Sequence, residues 1–305
     1  MSNNDADDTR RSHTNTPEDM KPKVTIQILR NLRAEHKKFS ILAIPDYPFA
    51  KIAADAGIDI ILVGDSLGMT VYGYQSLLPV TMDMMVLHAE AVRRAAPNVF
   101  LVGDLPFLSY EVDRKDAILN AGRFMSECGC DAVKLEGGRD RAEVIKAIVS
   151  ANIPVVGHIG FTPQAMAASG GFVNPGQDIA AAQKIIEDAH ILEDAGICML
   201  MLEAVPSDIA TIITEECTVP VCGFGSGPNV DGQILLLHDL LGMFDSFTNK
   251  FSKKYVDFSS QAYKGITDFI HDVQAEKFPT KDQYMSLPNA LSKELRGSIE
   301  NNTRK

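Results

Sequence analysis

Ionisable side chains stand where apolar runs of this sequence stop. Asp65 and Ser66 follow "IDIILVG", Asp104 follows "VFLVG", Lys134 and Glu136 sit in "DAVKLEGG", His158 in "IPVVGHIGFTP", and Glu203 closes "ICMLMLE". A lone carboxylate at the end of a buried strand costs several kcal/mol unless it is paired or metal-bound. Asp65, Asp104 and Glu136 together offer hard oxygen ligands that suit Mg2+, with no clustered His or Cys to favour zinc. Any one Asp taken alone reads more simply as a helix cap or turn former; three in succession at strand ends favour a site. Lys134 and Glu136 share a strand face by the two-residue period, so the lysine is placed to hold a substrate carboxylate while the glutamate faces the metal. A plain ion pair between them is the alternative.

His158, flanked by Gly157 and Gly160, is either a site residue or a core histidine bonded to a neighbouring carbonyl. Glu203 ends an apolar run, and desolvation by such a run suits a carboxyl to general acid or base work; a buried salt bridge with Lys134 is the bland reading. Asp46 and the glycines of "CGFGSGPNVDGQ", Gly223, Gly225 and Gly227, complete the set of strand tips, the glycines either cradling an anion or allowing close packing.

These tips need elements to carry them. Short runs apolar on both faces, such as "FSILAIPD" and "VPVCGFGSG", are strands of a parallel sheet, and helical segments such as "TMDMMVLHAEAVRRAA" and "QDIAAAQKIIEDAHILEDAG" alternate with them, the latter stopped by Gly196. No glycine-rich dinucleotide fingerprint follows the first strand, and polar residues cap nearly every strand. Both features favour a closed (β/α)8 TIM barrel over an open sheet. The eighth strand is the weak one: after "GQILLLHDLLG" the pattern turns polar, and "NKFSKKYVDF" is a fair candidate. "SSQAYKGITDFIHDVQAEKF" reads as an extra C-terminal helix packed on the outside. The expected organisation is a polar N-terminal tail over 1–22, one catalytic barrel domain over 23–282 and a C-terminal tail over 283–305.

With 305 residues, 45% of them hydrophobic, the chain can bury one large core. A net charge of -11 without a basic stripe argues against a nucleic-acid partner. No apolar run reaches the length of a membrane span, no signal-peptide pattern opens the chain, and the five cysteines form no CxxC pair, so the expected compartment is the cytoplasm.

In order and spacing, "VGDSLGM", "LPVTMDMM", "KLEGG", "GHIGFTPQ", "LEAVP" and "GSGPNVDGQILLLHDLLGM" resemble ketopantoate hydroxymethyltransferases, over roughly residues 22–282. The resemblance implies a barrel of the phosphoenolpyruvate mutase and isocitrate lyase superfamily, assembled as a homo-oligomer, usually a decamer. It implies Mg2+ on Asp65, Asp104 and Glu136, the 2-oxo acid on Asp65, Ser66, Asp104 and Lys134, and Glu203 as catalytic base, with His158 counted among the substrate-binding residues. The implied reaction takes a one-carbon unit from 5,10-methylenetetrahydrofolate to 3-methyl-2-oxobutanoate. Two stretches depart from the family pattern. Ala43, Ile44 and Pro45 precede Asp46 where Thr-Ala-Tyr is common, and "GGFVNPGQ" over 170–177 lacks the usual Tyr-Lys-Val-Gln. These departures keep open another Mg-dependent C-C bond lyase or mutase of the superfamily acting on a different 2-oxo acid.

Overall fold

The structure, a computed structural model, describes residues 22–168, 170–243 and 250–302. Residues 1–21 of the expected N-terminal tail lie outside the described residues. Helix α1 (Ile26–Ala34), capped by the Thr25 hydroxyl, leads into β1 (Phe39–Ala43), α2 (Tyr47–Ala56), β2 (Ile60–Val63), the short α3 (Leu67–Thr70), α4 (Met82–Ala95), β3 (Phe100–Asp104), α5 (Arg114–Ser126) and β4 (Ala132–Glu136). Then come α6 (Ala142–Ser150), β5 (Val155–Gly160), α7 (Ile179–Asp194), β6 (Met199–Glu203), α8 (Ser207–Glu216), β7 (Val221–Phe224), β8 (Gly232–Leu236), α9 (Leu237–Leu241), α10 (Phe258–Gln274) and α11 (Asn289–Asn302). The eight strands pair in parallel in chain order, and β8 returns to β1, so the (β/α)8 barrel is closed. Local chemistry sets the helix ends. Thr81 accepts from the Met84 N-H to start α4, Asp178 accepts from the Ala181 N-H to start α7, and Gly196, with φ +95°, stops α7 as its sequence predicts.

Strand parity divides the core in two. Ile60 and Leu62, Phe100 and Val102, Ala132, Val156, Met199 and Met201 form one cluster inside the barrel, which Leu29 of α1 joins from the N-terminal end. Their neighbours Ile61 and Val63, Leu101, Val133 and Leu135, Val155, Leu200 and Leu202 pack beneath the helices. Burial of each large side chain contributes roughly 1.5–3 kcal/mol. One further inward step along β3, β4, β5 and β6 reaches Asp104, Lys134, His158 and Glu203, and a second step along β4 reaches Glu136. The row that fills the barrel therefore ends in its chemistry, at the mouth formed by the strand C-termini.

Several elements differ from expectation. The eighth strand is Gly232–Leu236, within "GQILLLHDLLG", whereas the described part of "NKFSKKYVDF", from Lys250 on, contains no strand. The misplacement has a physical cause: β7 and β8 are joined by residues 225–231 without a helix, so the alternation that locates the other strands breaks, and β8 runs directly into α9. Helix α10 forms where the sequence places one but buries none of its residues. Residues 289–302, expected to be tail, form α11, which carries Leu291, Leu295 and Ile299 at helical spacing within a polar sequence. Asp46 is a helix cap, accepting from the Phe49 N-H at 2.9 Å at the start of α2.

Candidate active site

Strand register makes neighbours of residues far apart in sequence. Asp104 lies opposite Lys134, Glu136 opposite His158, and Gly160 opposite Glu203. The Lys134 Nζ donates to Asp104 Oδ1 at 2.7 Å and stands 3.6 Å from Glu136 Oε1. Asp65, in the turn after β2, joins them through its backbone N-H, which donates to Asp104 Oδ2 at 3.2 Å. His158 bridges the far side, with Nδ1 3.4 Å from Glu136 Oε1 and Nε2 3.4 Å from Glu203 Oε2, closing a hydrogen bond to neither. All of these except Glu203 are fully buried, and the Glu203 carboxyl is partly open. Ser66 starts α3 beside them and lines a small recess with Ala43, Ile44, Pro45 and His238. The ion-pair partner of Glu203 is thus His158, and that of Lys134 is the Asp104 and Glu136 pair.

Two buried residues outside the sequence-derived set hold the site together. The Gln164 side-chain amide donates to Asp65 Oδ2 at 2.8 Å and to the Leu105 carbonyl at 3.0 Å, and its backbone N-H donates to Glu136 Oε2 at 3.0 Å. The Tyr110 hydroxyl donates to Gln164 Oε1 at 2.6 Å and accepts from the Glu136 N-H at 3.2 Å. The only signal for them lay in "GFTPQ" and "FLSY", polar residues just past strand ends, which local pattern does not separate from ordinary loop residues. Gln164→Leu leaves the Asp65 carboxylate, the Leu105 carbonyl and the Tyr110 hydroxyl without this partner. At ~1–3 kcal/mol for each buried group so orphaned, a stability loss of about 3 kcal/mol is expected in urea unfolding.

Charge in the site is out of balance. Four carboxylates, of Asp65, Asp104, Glu136 and Glu203, face the two cationic groups of Lys134 and His158. Burial and then the adjacent Asp104 push the Asp65 carboxyl well above the usual carboxylate range. Burial opposes ionisation of Glu136 as well, but Lys134 and then His158 outweigh it and hold Glu136 below its ordinary value. Burial works against the Lys134 ammonium too, yet Asp104, Glu136 and Asp65 keep it raised. For His158, burial and Lys134 favour the neutral ring, but Glu136 and Glu203 prevail and raise it to about 9, so the imidazolium persists at neutral pH. A raised folded-state value means the stabilisation is fully present below the unfolded value near 6.5 and is lost as pH rises through about 9. Metal-free protein is therefore expected to lose melting temperature between those limits, and His158→Gln to flatten that decline.

The donor set of Asp65, Asp104 and Glu136 fits a divalent cation. It is all-carboxylate, buried, and includes an acid whose ionisation burial opposes, a cost that a divalent ion relieves. Among the described residues, the group of three whose ligand atoms all lie within 4.8 Å is instead His190, Glu193 and Cys217, at the C-terminal ends of α7 and α8, away from the mouth. The mouth carboxylates are spread around the Lys134 ammonium.

Close packing fixes Glu203. Gly160 takes φ +101°, and a Cβ there would strike the Glu203 carbonyl, which accepts from the Phe161 N-H at 2.8 Å. The glycine-rich turn after β7 follows the close-packing reading. A Cβ on Gly227, φ +84°, would strike Ser207, and the buried Ser226 hydroxyl donates to the Leu202 carbonyl at 2.9 Å while accepting from the Val205 N-H. In the 170–177 loop, Phe172 packs on Phe161 with ring centroids 4.6 Å apart.

Residues 23–281 match the family described as ketopantoate hydroxymethyltransferase. The chain belongs to the ketopantoate hydroxymethyltransferase family. Relatives named 3-methyl-2-oxobutanoate hydroxymethyltransferase include one of Syntrophomonas wolfei, 46% identical over 265 residues that cover 87% of this chain and 96% of that protein. Another, of Desulfotalea psychrophila, is 49% identical over 248 residues covering 81% and 89%. Among solved structures, a phosphonopyruvate hydrolase complex with oxalate and Mg++ superposes with a TM-score of 0.55 at 14% identity, covering 91% of this chain and 96% of that one. A 2,3-dimethylmalate lyase of the phosphoenolpyruvate mutase and isocitrate lyase superfamily gives 0.55 at 16% identity, covering 93% and 96%. At such identities the likeness is one of fold. In this chain Asp65, Asp104, Lys134, Glu136, His158 and Glu203 converge at the mouth.

Proposed function

We propose that this protein transfers a hydroxymethyl group from 5,10-methylenetetrahydrofolate to 3-methyl-2-oxobutanoate, giving ketopantoate and tetrahydrofolate for pantothenate synthesis. The carrying observation is the buried row of Asp104, Lys134, Glu136 and His158 beside a partly open Glu203, in a chain with closely named relatives. A Mg2+ ion on Asp65, Asp104 and Glu136 would supply stabilisation of the negative charge that the 2-oxo acid acquires on losing its β-proton. Lys134 donates one N-H to Asp104 and stands 3.6 Å from Glu136, which leaves N-H donors for the substrate carboxylate. Ser66, at the same strand end as Asp65, offers that substrate a hydroxyl. The Glu203 carboxylate takes the proton from the β-carbon, and the imidazolium of His158 at 3.4 Å orients it. The carbanion equivalent then forms a C-C bond to the folate methylene carbon as the first of its two C-N bonds to folate breaks. Water forms the C-O bond of the hydroxymethyl group as the second C-N bond breaks, and the protons given up by substrate and water go to the two folate nitrogens, releasing tetrahydrofolate.

A lyase or mutase acting on another 2-oxo acid is not favoured. The family match spans residues 23–281 and the named relatives stand at 46–49% identity, against 14–16% for the lyase and hydrolase structures. Metal-dependent exchange of β-protons into D2O, screened across 2-oxo acids, separates the two readings. Fastest exchange is expected with 3-methyl-2-oxobutanoate, and a marked preference for an oxaloacetate-like acid supports the lyase instead.

The working assembly we propose is a homo-oligomer, the decamer implied by the family resemblance. Helix α10 buries none of its residues and exposes Tyr263, Ile266, Phe269 and Ile270, an apolar face that a neighbouring subunit would cover. Sedimentation at micromolar concentration is expected to show an oligomer; monomer alone contradicts the proposal. Five free, buried cysteines support a reducing compartment, the cytoplasm. No helix among the described residues is long and apolar enough to cross a membrane.

A further inference from the structure

Beside the carboxylate ring lies a cavity of about 560 Å³, in the size range of small-molecule sites, bounded by the loops after β3, β4 and β5 and by α7. It abuts the carboxylate ring on one side, because Glu136 and Gln164 belong both to its wall and to the ring. Its other walls are largely flat and apolar, from Phe107, Tyr110, Ile159 and Ile185.

Its carboxylates are not equivalent. Asp188 is neutralised by Arg139 at 2.6 Å and Lys184 at 2.9 Å, and Asp140 lies 3.5 Å from Arg141 on the exposed rim. Glu136 is committed to Lys134 and Gln164. Glu111 is different: half-buried, it accepts the Tyr110 N-H at 3.2 Å, and among the described residues no lysine, arginine or histidine forms an ion pair with it. Arg141, whose guanidinium lies 6.0 Å over the Tyr110 ring, acts on it only at a distance. Burial pushes the Glu111 carboxyl up against the backbone N-H groups of Tyr110, Glu111 and Leu108 and the more distant Arg141, so its partners are backbone donors and no side-chain cation.

We propose that this cavity seats the pterin ring of the folate, with Glu111 accepting two parallel hydrogen bonds from the 2-amino group and N3-H of the pterin. The proposal rests on the hydroxymethyl transfer proposed above. The chemistry of the occupant fits each feature: a flat heterocycle for apolar and aromatic walls, an amidine-like edge for a lone carboxylate, and a reactive methylene that must lie near the ring containing Glu136.

The test is equilibrium binding of tetrahydrofolate and, separately, of 3-methyl-2-oxobutanoate, by calorimetry on the full-length Mg2+-loaded protein. Glu111→Gln replaces one acceptor with a donor facing a donor, and Ala168→Trp fills the cavity from its rim. Each is expected to weaken tetrahydrofolate binding by about 10–100-fold, the scale of losing one or two charge-assisted hydrogen bonds, with 2-oxo acid binding within about twofold of wild type. Unchanged tetrahydrofolate affinity in a folded variant overturns the assignment, and if Glu111→Gln fails to fold, Ala168→Trp decides alone. Wild-type protein that exchanges the substrate β-proton yet binds no tetrahydrofolate contradicts the transfer itself, a result distinct from loss confined to the variants.

Discussion

Glu203→Gln is expected to lower kcat by ~10²–10⁴-fold, the usual range for loss of general acid-base catalysis, with 2-oxo acid affinity nearly unchanged. The side chain keeps its shape and its place at the end of β6, held there by the packing of Gly160 against its peptide. What it loses is the charge that pairs with His158 at 3.4 Å and that, in the proposed reaction, accepts the β-proton. Because that pair is long and the carboxyl partly open, the variant is expected to melt within a few degrees of wild type. Steady-state kinetics beside a melting curve checks this. Full turnover combined with a large fall in melting temperature assigns Glu203 to structure and moves proton transfer elsewhere.

Lys134→Met is expected to show the largest stability loss. It preserves the buried stem and removes the one ammonium standing among Asp65, Asp104 and Glu136. Breaking a buried ion pair by removing one partner costs about 3–5 kcal/mol, which in a chain of this size corresponds to a fall in melting temperature of roughly 6–15 °C. Added Mg2+ should recover more in the variant than it adds to wild type, since both cations answer to the same carboxylates. Retained catalysis at high substrate, with a raised KM, fits a residue that grips the substrate carboxylate in ground and transition states alike. An unchanged metal-free melting temperature contradicts the charge balance described for the site.

Much of the site was legible because strand chemistry is local. A parallel strand buried on both faces leaves its last inward residue at the mouth, so Asp104, Lys134, Glu136, His158 and Glu203 could be read from the ends of apolar runs. What local pattern does not carry is register around the barrel. Lys134 was equally able to pair with Glu203, and only the strand offsets put His158 between Glu203 and Glu136. Gln164 and Tyr110 were missed for a related reason: their amide and hydroxyl matter through partners from other loops. Gln233 and Ile234 of β8 escaped because a strand that follows a turn without a helix, and continues into a helix, has neither of the boundaries that marked the others. Asp46 shows the reverse case, a strand-end acid that caps α2 by accepting the Phe49 N-H.

The measurement that bears most directly on the account is product formation by the purified protein from 3-methyl-2-oxobutanoate and 5,10-methylenetetrahydrofolate, with Mg2+ and after its removal by chelation. The account predicts stoichiometric ketopantoate and tetrahydrofolate with metal, and near-complete loss without it that is restored on adding Mg2+ back. Folded, Mg2+-loaded protein that yields no ketopantoate, or a rate unaffected by chelation, would contradict it.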